Sequence, residues 1–199
     1  MHISEGILSG QVLITSSALS AVGFYLGFKK LDYDSIPQTG ILAAVFFVAS
    51  IVHVPLGPGN VHLVLNGIMG LLLGWNAFPA IMVALMLQAI LFQFGGITTL
   101  GVNTLIMALP AIICYFIFSP MLHKYPFPAA FACGFLSVLL SALLAAGALL
   151  FTEENFFKIA SILIMAHIPV MIIDGIITGF LVIFIKKVKP EMLISKPER

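Results

Sequence analysis

Apolar residues fill seven blocks of this chain, approximately Gly6–Phe28, Gly40–Val54, Val61–Leu73, Phe78–Phe94, Leu100–Phe118, Phe127–Phe151 and Ile159–Ile185. A helix needs about 20 apolar residues to cross a bilayer core, so the first, sixth and seventh blocks predict comfortable spans. The second and third are too short taken singly. Between them lies His53-Val-Pro-Leu-Gly-Pro-Gly-Asn-Val-His62, rich in Pro and Gly and bearing two histidines. Irregular backbone at membrane depth is tolerated only where protein buries it or where it lines a cavity. The stretch is therefore predicted to dip into the helical bundle from one face and to shorten both neighbouring helices. A similar break, Gly95-Gly-Ile-Thr-Thr-Leu-Gly-Val-Asn103, joins the fourth and fifth blocks.

Composition agrees with this pattern. Of 199 residues, 61% are hydrophobic and 9% charged, and the mean hydropathy is +1.16. These values lie far outside soluble usage and predict an all-α integral membrane protein, one domain over residues 1–199. The formal net charge is +1, with no basic stripe for nucleic acid. Cys114 and Cys133 sit inside apolar blocks and read as small hydrophobes. The N-terminus has no basic n-region and carries Glu5, so it does not read as a cleavable signal.

With seven spans the connections alternate between faces. One face receives Lys29, Lys30, Lys124, Lys186, Lys187, Lys189, Lys196 and Arg199, and the other receives Lys158. Basic residues concentrate on the cytoplasmic side, which predicts an outer N-terminus and a cytoplasmic C-terminus. Both Gly-rich loops then share the outer face with Met1-His2.

That placement gives the first dipeptide a chemical meaning. If Met1 is retained and unformylated, its amine, the His2 amide nitrogen and the His2 Nδ1 can wrap one metal ion. Three nitrogens fixed in a plane leave one position that a second histidine can fill, a geometry suited to Ni(II) or Cu(II) and sometimes to Co(II). The dipeptide by itself is weak evidence and reads more readily as an idle, solvated terminus. Gln88, Gln93 and Asn103 are candidates to orient a ligand histidine through its second ring nitrogen; the alternative for the glutamines is hydrogen bonding between helices. His167 and Asp174 are ionisable groups inside the seventh block, two turns apart with Pro169 between them as a potential kink. They read as coupling or packing residues more than as ligands. His123, beside Lys124, reads as a solvated loop residue.

There is no Gly-x-x-x-x-Gly-Lys-Ser/Thr, no His-Glu-x-x-His, and no clear inverted repeat. A transported metal would then draw its energy from other subunits. An intramembrane metalloenzyme using His53, His62 and Asp174 is the competing class. Such a site keeps a water-bearing position, which a filled four-nitrogen plane lacks.

Several stretches together resemble the substrate-binding membrane component of the cobalt/nickel energy-coupling-factor transporters, the CbiM/NikM family. They are Met1-His2-Ile3-Ser4-Glu5-Gly6, Pro55 with Val61-His62-Leu63, Phe92 with Gly95-Gly-Ile-Thr98 and Gly101-Val-Asn103, and His167-Ile-Pro with Asp174-Gly and Thr178. The resemblance runs almost end to end. It implies a six-helix substrate-binding core plus one extra N-terminal helix, and a metal held by the Met1 amine, the His2 amide and imidazole, and His62. His53-Val-Pro stands where cobalt members carry an Asn-Phe-Pro-like stretch, which marks His53 as a nickel-type variation or as a residue behind the ligands. Asn103 and Gln88 would support the site. Two features depart from the family: Asp174 stands where Glu is usual, and a fused C-terminal extension is absent. The resemblance implies transport of Ni(II) or Co(II), with no cofactor and no chemistry of its own, in the cytoplasmic membrane. The implied partners are a pair of ATPase subunits, a transmembrane coupling subunit and a small accessory membrane subunit. Small residues of the first helix, from Ser16 to Gly23, would let such a subunit approach closely; packing within the chain explains them as well.

Overall fold

A computed structural model describes residues 3–56, 59–150 and 156–193, with side chains throughout except at 53–56, 59–61 and 156–160. Among the described residues seven α-helices follow one another: α1 (Gly10–Lys29), α2 (Ile36–Ala49), α3 (Asn66–Leu73), α4 (Ala77–Phe92), α5 (Leu100–Phe118), α6 (Pro126–Leu149) and α7 (Phe156–Val188). A short hairpin, β1 (His53–Leu56) and β2 (Gly59–His62), joins α2 to α3. The stretches Gly10–Lys29, Asn66–Phe92, Leu100–Met121, Pro126–Leu149 and Ser161–Val188 are long and apolar enough to cross a membrane, and Ile36–Ala49 is a shorter apolar helix. The chain is a multi-pass membrane protein.

The stretch Asn66–Phe92 is two helices running in opposite directions. On α3, Asn66 donates to the Met107 carbonyl, Gly70 lies against Ala111 and Gly74 against Tyr115. Both helices thus advance four residues at a time, so α3 runs parallel to α5. Only residues 93–99 separate α4 from α5, which makes those two antiparallel. The reversal falls at Gly74–Asn76, a 3-10 turn that opens on Gly74 at φ 53°. At about 1.5 Å per residue, α3 is about 12 Å long, less than half a membrane crossing. It begins level with the second turn of α5.

This half-length helix is what the sequence pattern implies for the third block, with a correction to its boundary. Residues 61 and 62 are strand, 63–65 are an irregular connection, and the helix starts at Asn66. The stretch predicted as an irregular loop contains a two-stranded ladder, so the fold is all-α apart from that hairpin. Pro169 does not interrupt α7.

Packing settles the directions of the remaining helices. Gly23 and Gly27 of α1 lie against Phe78 and Trp75, and Ser17 lies against Gly101. On α2, Gln38 donates to the Leu72 carbonyl at one end and Phe47 stacks on Phe92 at the other. Gly134 of α6 meets Asp174 and Thr178, and Phe127 meets Gly179, so α6 and α7 are antiparallel. Lys29, Lys30, Lys124, Lys186, Lys187 and Lys189 therefore gather at one end of the bundle, where the Lys186 ammonium donates to the His123 carbonyl and Lys30 lies over Trp75. Lys158 lies at the opposite end, with the hairpin and the glycine-rich loop. Lys196 and Arg199 lie outside the described residues.

Candidate functional site

At the hairpin end, the N-terminal segment is clamped onto α5. Asn103, in the first turn of that helix and 3% exposed, faces Ile3. The Ile3 N–H donates to Asn103 Oδ1 at 2.9 Å, and Asn103 Nδ2 donates to the Ile3 carbonyl at 3.1 Å. Asn103 Nδ2 also donates to Thr99 Oγ1 at 3.2 Å. A primary amide presents one acceptor and one donor side by side, matching the two polar groups of one residue's backbone. Gly95, at φ +77°, passes so close that a Cβ there would lie 2.7 Å from Asn103 Nδ2. The left-handed backbone and the missing side chain are both required at that point.

A second clasp lies nearer the surface. The Glu5 Oε1 accepts from the Thr98 N–H at 2.9 Å and from the Thr98 hydroxyl at 3.0 Å. These bonds stabilise the ionised form and hold the Glu5 carboxyl below its usual range. The segment thus runs from exposed Glu5 to buried Ile3, fastened at both residues. Met1 and His2, the two terminal ligand candidates, lie outside the described residues.

The other wall is built by the descent from β2 into α3. In the hairpin register His53 lies directly opposite His62. His62 is buried, and its Nδ1 lies 2.8 Å from the Leu63 carbonyl. A carbonyl oxygen only accepts, so Nδ1 carries the proton and the neutral ring has its lone pair on Nε2. Metal-binding histidines are commonly oriented in this way. The Leu63 N–H donates to the Val52 carbonyl. The Val64 and Leu65 N–H groups both donate to Asp174 Oδ2 of α7, at 3.1 and 3.3 Å. Leu65 itself sits at φ 52°, a left-handed conformation that costs a non-glycine residue about 1–2 kcal/mol. Asn66 then opens α3, with its Nδ2 bonded to Met107, Ser137 and Ser141.

Of the remaining sequence candidates, Gln88 is fully buried on α4, and Gln93 closes that helix at φ 57°. The buried His167 donates from Nδ1 to the Leu163 carbonyl of its own helix at 2.7 Å. Asn103 acts on the backbone next to His2, at Ile3. Asp174 accepts through Oδ2 from the backbone that leads from His62 into α3. Among the described residues no three His, Cys, Asp or Glu side chains converge as a metal cluster. Sequence reasoning missed the Glu5–Thr98 clasp and the use of Asp174 as an anchor. For Asp174 the available signal was a polar residue standing alone in an apolar block.

Residues 2–192 match the family model described as the cobalt uptake substrate-specific transmembrane region, CbiM. A Haemophilus influenzae protein named for metal transport is 38% identical, with 97% of each chain covered. The fused nickel transport protein NikMN of Rhodobacter capsulatus is 40% identical over 54% of this chain and 33% of its own length. The solved structure of a truncated transition metal transporter superposes with a TM-score of 0.82 at 26% identity, covering 94% of this chain and 99% of that one. With a match over nearly every residue and a shared fold, the chain belongs to the CbiM family of cobalt and nickel uptake components, which are transporter parts and not enzymes.

Proposed function

We propose that this chain binds one nickel or cobalt ion in four nitrogens: the Met1 amine, the His2 amide, His2 Nδ1 and His62 Nε2. The two-point clamp of Asn103 on Ile3 carries the reading. It fixes the peptide that follows His2, so a chelate formed by the first two residues would have little freedom left to lose on binding. Ile3 also shares a buried apolar cluster with Val64, two residues beyond His62, which supports a short path between the two halves of the site. The proton on His62 Nδ1 supports ligation through Nε2. An all-nitrogen plane favours Ni(II) over Co(II). His53, opposite His62 in the register, is a further ligand or a supporting residue, and Gln88 a buried support on α4.

The site opens to the outer face of the cytoplasmic membrane, with the lysine-rich end of the bundle in the cytoplasm. Uptake is ATP-driven and requires two ATPase subunits, a transmembrane coupling subunit and an accessory membrane subunit. A tightly chelated ion leaves slowly unaided, because the contacts that give affinity also slow dissociation.

One added residue before Met1 converts the amine to an amide. Calorimetric titration of that variant with Ni(II) should show the tight site lost, and unchanged affinity and stoichiometry would refute the chelate. Radiolabelled Ni(II) should accumulate only in cells that also express the ATPase and coupling subunits. Equal, ATP-independent uptake by the chain alone would refute the energy coupling.

A further inference from the structure

We infer that Asp174 is a positioning residue for metal binding, acting through His62 by holding the descent of the loop into α3. The inference rests on the proposed ligation by His62. Asp174 is 1% exposed, in the middle of an apolar helix. Between Lys124 and Lys186 the chain has one lysine, Lys158 at the outer end of α7, no arginine, and His167, whose Nδ1 is bonded to the Leu163 carbonyl. A carboxylate buried in a membrane span without a paired cation is kept only where other groups satisfy it. Here Oδ2 accepts from the backbone amides of Val64 and Leu65, two and three residues beyond His62, while Oδ1 has no hydrogen-bond partner among the described residues. Those amides precede the first turn of α3, where the helix dipole also favours a negative charge.

The geometry couples three features. Leu65 is held in a left-handed conformation, which persists only when its surroundings enforce it. The Asp174 oxygen joins the amide of that residue and the one before it. His62 is fastened to Leu63 through Nδ1, so the imidazole follows the backbone that the carboxylate holds. The Asn103 amide on α5 fixes the terminal half of the site, and the Asp174 carboxylate on α7 fixes the loop half. Gly134 leaves room for this approach, since a Cβ there would lie 2.7 Å from both the Asp174 carbonyl and Thr178 Oγ1.

The test is a double-mutant cycle in the full chain, read by Ni(II) calorimetry and ligand-field absorption. Asp174→Asn should weaken Ni(II) binding by about tenfold or more, as expected for losing a charge-assisted bond, and should shift the Ni(II) absorption band. Asp174→Glu, which keeps the carboxylate, should restore affinity to within about threefold of the parent and restore the band. In a His62→Ala background, Asp174→Asn should add no further loss, because both changes act on the same ligand. Losses that multiply in the double variant, or an unshifted band, would overturn the inference. If His62→Ala leaves Ni(II) affinity unchanged, the proposed ligand set fails instead, independently of Asp174. Hydrogen exchange in the unmodified chain gives a second reading that needs no variant. Ni(II) should slow exchange at the Val64 and Leu65 amides, and unchanged rates would count against the coupling.

Discussion

Asn103 grips Ile3 by both of its backbone polar groups, one hundred residues away in sequence, through bonds of 2.9 and 3.1 Å. This pair ties the N-terminal segment to the first turn of α5, and the segment's only other described side-chain clasp is Glu5 on Thr98. The proposed site therefore depends on an asparagine that never touches the metal.

Replacing Asn103 with Leu keeps the volume and leaves two buried backbone groups of Ile3 without partners. Each such loss costs about 1–3 kcal/mol. Ni(II) affinity, measured by calorimetry, should fall by at least about tenfold while the helical content by circular dichroism stays unchanged. Parent-like affinity would show that the clamp does not serve the site.

The Glu5 carboxyl provides a pH reading. Its folded pKa lies below the ordinary 4.5, because the Thr98 amide and hydroxyl stabilise the ionised form. Its contribution to docking is thus complete above the ordinary value and disappears as pH falls through the lowered one. Carbon-13 NMR titration of Glu5 should show the depressed midpoint, and Thr98→Val should move it part of the way back. An ordinary midpoint in the parent chain would contradict the clasp.

Metal affinity should also depend on pH. Ligation displaces protons from the terminal amine, with an ordinary pKa of about 7.7–8.0, and from imidazoles near about 6.5. Both sites are protonated at low pH, so Ni(II) affinity should climb steeply from about pH 6 to about pH 8. A flat profile would point to a carboxylate or carbonyl site, with Glu5 the first acid to examine.

Two glycines separate packing from helix propensity. A Cβ on Gly70 would run into the Ala111 carbonyl, whereas one on Gly147 would meet nothing within 4 Å. Gly70→Ala should push α3 from α5 and destabilise the protein by about 1–3 kcal/mol. Gly147→Ala, inside α6, should be neutral or stabilise by up to about 1 kcal/mol. Thermal unfolding in detergent compares them, and equal midpoints would rule out the close α3–α5 contact.

The sequence by itself determined the membrane class, the seven apolar helices, the two glycine-rich interruptions and the crowding of lysines at one end. These are local properties: hydrophobic length, backbone-breaking residues and charge each act within a few residues of where they are written. The dip of the His53–His62 stretch was legible for the same reason, since its neighbours were too short to cross alone. The reversal at Gly74–Asn76 was legible too, since it falls in the gap between the block ending at Leu73 and the block beginning at Phe78. The tertiary structure decided what those breaks are for. No local pattern announces that Asn103 faces Ile3, that His53 lies opposite His62, or that Asp174 holds Val64 and Leu65. Each of these polar residues has a side chain that many partners could satisfy in a bilayer, and only the packing of helices distant in sequence selects one.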